Sequence, residues 1–301
     1  MRDALEMLGL QALRSACAVT PYGGGLAIGR GIGRIVFRMG LRRRVCLQNL
    51  ERAFGAELDA RVRRGIAART YEHVGMILAE IALLPRMPMP ERRRRLEIVG
   101  MEHLERAQRA GRGAVIASAH YGNWEFIGAG GVAHGIPVTF VVQRQRNRRA
   151  DALLRRTREQ LGMRILDRGM AVRRVRAELE ANRFVGIMCD QDARRRGVFV
   201  PFFGRPASTH KGAAQLALRL GVPFIPLFGR RLAGGRHRML VLPPIEPPQD
   251  ASETDAVRDM MRHFNAVLES VIREEPGQYL WLHRRWKTQR PPAQPAVRAG
   301  Y

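Results

Sequence analysis

A histidine and a glutamate five positions apart are the residues of this chain best suited to acid–base chemistry. Residues 118–125 read SAHYGNWE, so His120 and Glu125 are separated by Tyr-Gly-Asn-Trp. A neutral imidazole titrates near physiological pH and can accept the proton of an attacking hydroxyl. A carboxylate bonded to the other ring nitrogen fixes the tautomer and stabilises the imidazolium. We therefore expect His120 to be a general base that Glu125 orients.

The residues between this pair strengthen the interpretation, because a lone histidine is more often a structural residue. Gly122 permits a tight turn, and Trp124 provides a broad apolar wall. We expect backbone N–H groups of this turn, near the start of a helix, to stabilise a developing oxyanion. The segment also follows the apolar run 114–118, and open α/β sheets bind ligands at the ends of strands.

Alternating apolar runs and helical patterns indicate the fold that positions this segment. Strand-like runs occupy 96–100, 114–118, 138–143, 184–189, 224–228 and 239–242, and helix-like segments occupy 103–110, 150–161, 171–181, 211–220 and 254–274. This alternation predicts an α/β fold with a mixed, largely parallel central sheet flanked by helices. Before the first of these strands, apolar residues recur at helical spacing until a group of prolines interrupts the pattern. We predict a helical region over 1–90, an α/β catalytic domain over 91–288 and a flexible tail over 289–301.

The charge balance restricts the partners of the protein. The chain has 52 Lys and Arg residues against 27 Asp and Glu, which gives a net charge of +25. A charge of this size favours acidic partners such as nucleic acid, anionic lipid headgroups or an acidic protein. A GC-rich genome would explain why nearly all the cations are arginine, but it would not explain the shortage of acidic residues.

The N-terminal region and the cysteines bear on location. Three cysteines without metal-ligand spacing favour a reducing compartment over a disulfide framework. Asp3 and Glu6 stand where a secretory signal would be positive, so we expect no cleaved leader. The uncharged stretch 15–29 is too short, and too interrupted by Pro21 and glycines, to span a bilayer. With the arginines after it, this stretch predicts either an interfacial, membrane-associating element or a buried helical hairpin.

Residues 118–125 also resemble the late acyltransferases of lipid A biosynthesis, whose signature is His-aromatic-Gly-Asn-Trp-Glu, and the match is complete. The resemblance covers roughly residues 45–287. Arg144 and Asn147 resemble the family's Arg-Pro-x-x-Asn element, with Gln145 in place of the usual proline. Further matches are Arg158, the acidic pair Asp190 and Asp192, and the blocks 198–204 and 280–287.

This resemblance implies both a fold and a reaction. It implies a glycerolipid-acyltransferase-like α/β fold on the cytoplasmic face of the inner membrane. The implied reaction moves a fatty acyl group from an acyl carrier protein thioester to a hydroxyl of a lipid A precursor of the Kdo-lipid IVA type. No metal or cofactor is implied beyond acyl carrier protein or coenzyme A as carrier of the acyl group. An acidic carrier protein and an anionic glycolipid both agree with the charge of +25.

The resemblance also implies substrate-binding residues, namely Asn123, Arg144, Asn147, Arg158, Asp190 and Asp192. The guanidinium groups of Arg144 and Arg158 could clamp phosphate, or they could lie on a solvated helix face. Asp190 and Asp192 lack a further convincing metal ligand. We instead expect one of the two aspartates to pair with Arg158 or another arginine of the pocket, and we favour a loop contact for Asp192.

Two aromatic segments each allow two interpretations. The run 198–203 is either core or the lining of an acyl groove, where each buried methylene would contribute about 0.8 kcal/mol. Trp281 and Trp286 either anchor the protein at the level of lipid headgroups or cap the sheet. His210 precedes a predicted helix and His283 has no evident partner, so neither displaces His120 as the base.

Three other functions fit parts of the sequence. An acyltransferase of the same family could act on another glycolipid, such as a phosphatidylinositol mannoside, with acyl-coenzyme A as donor. A nucleic-acid-binding protein would also be basic, but aromatic residues make up just 6% of this chain and no reading motif is present. We therefore expect no specific nucleic acid partner. The intact pair His120 and Glu125 argues against an inactive, lipid-binding relative.

Overall fold

A seven-stranded sheet is the largest unit of the computed structural model, which describes residues 2–168 and 171–289. The strands of this sheet and of a separate hairpin are β1 (Leu96–Val99), β2 (Ala114–Ser118), β3 (Val138–Val142), β4 (Arg164–Asp167), β5 (Phe184–Met188), β6 (Val198–Phe202), β7 (Arg205–Thr209), β8 (Phe224–Arg231) and β9 (His237–Val241). Strands β6 and β7 form the antiparallel hairpin.

The order of the large sheet is β1-β9-β8-β2-β5-β3-β4. Strands β8 and β9 are antiparallel, and the other neighbouring pairs are parallel. The predicted mixed, largely parallel α/β sheet is therefore confirmed. On β2, Val115 and Ala117 pack into one apolar cluster while Ala114 and Ile116 pack into another. Both faces of this strand are covered, which explains its unbroken apolar sequence.

Helices cover the sheet and build the N-terminal region. They are α1 (Arg2–Ala18), α2 (Tyr22–Met39), α3 (Arg43–Phe54), α4 (Ala60–Leu83), α5 (Met89–Arg95), α6 (Met101–Arg109), α7 (Trp124–Ala133), α8 (Arg148–Gln160), α9 (Ala171–Glu180), α10 (Gly212–Leu220) and α11 (Glu253–Glu274). Each helix and strand predicted beyond residue 95 is present, with ends shifted by a few residues. The predicted tail 289–301 lies, except for Gln289, outside the described residues.

The prediction missed β4 and the hairpin. Strand β4 has only four residues, begins and ends with a charged residue, and lies at the sheet edge, so its apolar signal is weak. Strand β6 contains Pro201, which is exposed, whereas its neighbours Val200 and Phe202 are buried. This alternation resolves the two interpretations of 198–203 in favour of core for these inward-facing residues.

Helix α2 packs along α4 through its glycines. A Cβ atom on Gly29 would lie 2.5 Å from the carbonyl oxygen of Gly75, and one on Gly33 would lie 2.2 Å from that of Tyr71. Only glycine therefore permits this close approach. The stretch 15–29 is split at Thr20 and Pro21 between α1 and α2, and its glycine face is buried, as the helical-hairpin interpretation expected.

The C-terminal end of α2 and the turn after it, which we call the α2 end, leave apolar side chains in solvent. Ile35, Met39 and Leu41 are 55%, 77% and 65% exposed, and Arg42, Arg43 and Arg44 follow directly. Throughout residues 2–168 and 171–289, every helix falls short of the length and apolarity required to cross a bilayer.

Candidate active site

The loop after β2 carries the predicted histidine and is shaped by Gly122 and Asn123. Gly122 has φ +58°, and a Cβ atom there would lie 2.0 Å from the carbonyl oxygen of Gly229. A side chain would therefore collide with β8. Asn123 caps α7, because its side-chain oxygen accepts hydrogen bonds from the backbone N–H groups of Glu125 and Phe126 at 3.0 and 3.1 Å.

His120 is held by Asp190. The carboxylate accepts from His120 twice, from ring Nδ1 at 2.8 Å and from the backbone N–H at 3.1 Å. Asp190 is 2% exposed, whereas the His120 side chain keeps 19% of its surface in solvent. Because Nδ1 donates to Asp190, Nε2 is the nitrogen left with a lone pair for a substrate proton.

The hydrogen bond that we expected between His120 and Glu125 is made with Asp190 instead. Ser118 on β2 is paired with Met188 on β5, so His120 and Asp190 each stand two residues beyond a matched pair of strand ends. That register brings Asp190 directly to the imidazole. Glu125 instead lies in the first turn of α7, where its carboxylate meets an arginine.

That arginine is Arg158 of α8, which binds Glu125 with both arms of its guanidinium group. Nε lies 3.0 Å from one carboxylate oxygen and Nη2 lies 2.6 Å from the other. Glu125 is buried and the Arg158 side chain is 18% exposed. Arg158 thus pairs with Glu125, and not with an aspartate, which was one of the pairings that we expected.

Electrostatics favour the protonated form of His120. Burial alone would lower the pKa of His120, but the charge of Asp190, its hydrogen bond and the nearby Glu125 carboxylate together raise it above its usual value. Burial would likewise raise the pKa of Asp190, yet the charge and hydrogen bonds of His120 hold it below its usual value. The pair therefore stabilises an imidazolium, the form that a general base reaches after taking a proton.

Several backbone N–H groups in and beside the turn 122–124 are committed to the fold. His120 donates to Asp190, Gly122 donates to the carbonyl of Gln278, and Glu125 donates to Asn123. Of the turn 122–124, from which we expected oxyanion donors, Gly122 is therefore excluded. Trp124 does form a wall, because its ring lies edge-on to His120 at 4.8 Å between centroids.

A buried ion network behind the turn was missed by the sequence analysis. Glu80 of α4 is fully buried and accepts hydrogen bonds from Asn123, Arg231, Tyr22 and His237. Burial would raise the pKa of Glu80, but the charge of Arg231 and the hydrogen bond from His237 keep it well below its usual range. A glutamate on the apolar face of a helix was the signal that could have revealed it.

The segment after α11 packs against the loop that carries His120. The N–H of Leu280 donates to the carbonyl of His120 at 3.0 Å. Trp281 and Trp286 are 0% and 4% exposed, so their interpretation as headgroup anchors is wrong and they belong to the core. His283 has a partner after all, because its Nε2 accepts from the backbone N–H of Asp192 at 3.0 Å.

The remaining predicted residues serve the surrounding structure. Asp192 makes the expected loop contact, because its carboxylate accepts from Arg194 and from Thr288. Arg144 is 76% exposed and pairs with Asp167 at 3.1 Å, which matches its interpretation as part of a solvated surface. Asn147 caps α8 by accepting from the first backbone N–H groups of that helix.

Comparison with known proteins gives the family. The model for bacterial lipid A biosynthesis acyltransferases matches residues 1–288. The chain is 32% identical over 273 residues to the lipid A biosynthesis lauroyltransferase of Escherichia coli (strain K12), covering 89% of this chain and 87% of that protein. The palmitoleoyltransferase of the same strain is 28% identical over 269 residues, 87% and 84% of the two chains.

A second group of relatives acts on a different glycolipid. The phosphatidylinositol mannoside acyltransferase of Mycobacterium tuberculosis (strain CDC 1551 / Oshkosh) is 34% identical over 188 residues, 60% of this chain and 58% of that protein. The match to the lipid A family spans nearly the whole chain, whereas this one spans less than two thirds of it. The protein is thus an acyltransferase that belongs to the bacterial lipid A biosynthesis acyltransferase family.

Proposed function

We propose that this protein transfers a fatty acyl group from an acyl carrier protein thioester to a hydroxyl of a lipid A precursor of the Kdo-lipid IVA type. The observation that carries the proposal is His120 held by a buried aspartate at a strand end, within a chain similar over most of its length to lipid A acyltransferases. This pair can activate a hydroxyl without a further reactant.

In the proposed reaction, His120 is the general base. Its Nε2 takes the proton of the acceptor hydroxyl while the hydroxyl oxygen attacks the thioester carbonyl carbon. Asp190 stabilises the imidazolium that results. The tetrahedral intermediate then collapses, so that the C–S bond breaks and the ester remains. The imidazolium returns its proton to the leaving thiolate, which restores the free base.

Arg158 is the group we assign to the developing oxyanion. Its guanidinium is fixed by two hydrogen bonds to Glu125, and Glu125 is close enough to His120 to affect the pKa of the imidazole. Guanidinium N–H donors that are already positioned stabilise an oxyanion without reorganisation. Glu125 thus acts as a positioning residue for Arg158 in this account, while Asp190 does so for His120.

The proposed location is the cytoplasmic face of the inner membrane. The exposed residues Ile35, Met39 and Leu41 next to the arginine cluster 42–44 support contact with an anionic bilayer surface. The net charge of +25 supports attraction to both an acidic carrier protein and an anionic acceptor.

A second candidate is supported by the mycobacterial relatives. The proteins named phosphatidylinositol mannoside acyltransferases are 34% identical over 188 residues. The same His120 and Asp190 could acylate such a glycolipid from acyl-coenzyme A, because the base acts on any suitably placed hydroxyl.

Acyl transfer to a tetra-acylated, bisphosphorylated lipid A precursor tests the proposal. With acyl carrier protein thioester as donor, we expect product from the wild type and about a 10³-fold lower rate from His120→Ala. His134→Ala is the control, because that histidine contacts the backbone of Arg93 and has no role in the reaction. Activity only with acyl-coenzyme A and a phosphatidylinositol mannoside would support the second candidate, and full activity of His120→Ala would contradict the mechanism.

A further inference from the structure

A cationic pocket lies between α3 and the segment that follows Arg284. Its volume is about 440 Å³, and it is lined by Arg44, Val45, Gln48, Asn49, Arg52, Arg284, Trp286, Lys287 and Gln289. Four of these residues are cations and none is acidic. No part of the proposed reaction uses this pocket, which we call the α3 pocket.

The charges of the α3 pocket lack counterions. Within the described part of the chain, Arg44, Arg284 and Lys287 form no ion pair, and Arg52 donates only to the carbonyl of Trp286. Some arginines elsewhere, such as Arg155 and Arg158, are paired with carboxylates, whereas this pocket gathers four cations in one place. Like charges gathered without a counterion repel one another, so a bound anion would stabilise this arrangement.

Neutral polar groups accompany the cations of the α3 pocket. Trp286 is 4% exposed, and its indole N–H has no hydrogen-bond partner among the described residues. Gln48 and Gln289 add amide groups at the rim. Guanidinium and ammonium groups combined with neutral N–H donors suit the oxygen atoms of a phosphate.

The α3 pocket is connected to the reaction centre by a short series of contacts. Lys287 is followed by Thr288, whose side chain and backbone donate to Asp192 at 2.8 and 3.0 Å. Asp192 is two residues from Asp190, a separation of about 7 Å at most along an extended chain. The wall that carries Lys287 is therefore attached to the same loop that carries Asp190. Arg44 also belongs to the arginine cluster beside the exposed apolar end of α2.

We propose that the α3 pocket binds a phosphomonoester, and that this group is the phosphate of the anionic glycolipid acceptor. The phosphate chemistry follows from the pocket itself, whereas the identity of its source rests on the proposed function. Arg144 and Arg158, which could have clamped phosphate, are instead paired with Asp167 and Glu125, whereas the cations of the α3 pocket have no carboxylate partner among the described residues.

A binding experiment that needs no acyl transfer tests the pocket. Glucosamine 1-phosphate is titrated into the full-length protein and followed by isothermal calorimetry, with glucosamine and inorganic phosphate as comparison ligands. The test variant is Arg44→Gln with Lys287→Gln, one exposed cation from each wall. The matched control is Arg106→Gln with Arg112→Gln, two exposed arginines of equal charge outside the pocket. Circular dichroism establishes that both variants are folded.

We expect the wild type and the control to bind the sugar phosphate, and the pocket variant to bind it about tenfold more weakly. Equal binding by the pocket variant would overturn the proposal, even if the protein proved active on lipid A precursors. The source is tested by the KM for bisphosphorylated and singly dephosphorylated acceptors. If the bound phosphate belongs to the acceptor, the wild type should have a lower KM for the bisphosphorylated acceptor, and the pocket variant should have the same KM for both acceptors. The assignment to the acceptor fails if inorganic phosphate binds as tightly as the sugar phosphate and the KM for each acceptor is the same in the wild type and the pocket variant.

Discussion

The ion pair of Arg158 and Glu125 has a geometry that only arginine can make. Both carboxylate oxygens are engaged, and a lysine would contact them as a point charge on a flexible stem. We expect Arg158→Lys to lower kcat by about 10 to 100-fold, because the charge facing the oxyanion would no longer be fixed. KM for the acyl donor should change little.

The control for this substitution lies on the same helix. Arg155 of α8 pairs with Asp151 and Asp167, away from Glu125, so Arg155→Lys should retain near wild-type kcat. Steady-state kinetics of both variants with one donor and one acceptor make the comparison. Equal losses in the two variants would mean that α8 contributes through stability and not through the oxyanion.

The residues near the reaction centre differ in how far the sequence could predict them. His120 was predicted because its motif is contiguous, and its position after β2 is as expected. Its partner was not, because Asp190 lies 70 residues away and meets His120 only when β5 pairs with β2. Pairing between strands distant in the chain is a property of the sheet order, which local patterns do not report.

At the scale of elements, the contact between α2 and α4 makes a sharp prediction. Gly29→Ala should destabilise the protein by several kcal/mol, because its Cβ would lie 2.5 Å from the Gly75 carbonyl and force the helices apart. Gly31→Ala, on the same helix, meets nothing within 4 Å and should be neutral or stabilising by up to about 1 kcal/mol. Urea unfolding gives both values, and equal effects would contradict the packing described.

Helix α4 also supports the active-site turn directly. Glu80 accepts a hydrogen bond from the side-chain amide of Asn123, and Asn123 caps the helix that carries Glu125. The predicted division at residue 90 follows the prolines of the sequence, yet this network joins residues on both sides of that position. These contacts depend on a single buried carboxylate. In the sequence it is only a charged residue that interrupts the apolar face of a helix, so the pattern did not predict them.

At the scale of the whole molecule, the exposed end of α2 predicts how the protein meets a bilayer. Ile35→Ser, Met39→Ser and Leu41→Ser combined should weaken binding to phosphatidylglycerol vesicles by at least about tenfold, because burial of each side chain contributes about 1 kcal/mol or more. The difference should persist at high salt, since it is apolar in origin.

Flotation of protein with vesicles measures this binding. The control variant combines Val62→Ser, Leu78→Ser and Val99→Ser, which are exposed apolar residues outside the α2 end. If both variants float as well as the wild type, and only salt releases the protein, the attachment is purely electrostatic and the α2 end has no special role.

The fold class could be predicted from the sequence better than the short strands or the contacts between residues distant in the chain. Alternating apolar runs and helical segments gave the α/β class, because burial on both faces leaves strands such as β2 free of polar residues. Short or edge elements such as β4 left too weak a pattern. The α3 pocket joins residues more than 200 positions apart, so its charges appear in the sequence only as unrelated basic residues.

The pH dependence of kcat/KM in the wild type and in Asp190→Asn tests the central claim that His120 is the base and Asp190 orients it. A base must be neutral, so wild-type activity should rise with pH through a histidine pKa above its usual value, as Asp190 and Glu125 dictate. Asp190→Asn should lower the rate by about 10² to 10⁴-fold and move this acidic limb to lower pH. Asp192→Asn should leave the limb in place. An unmoved limb in Asp190→Asn, or a larger displacement in Glu125→Gln, would contradict the account.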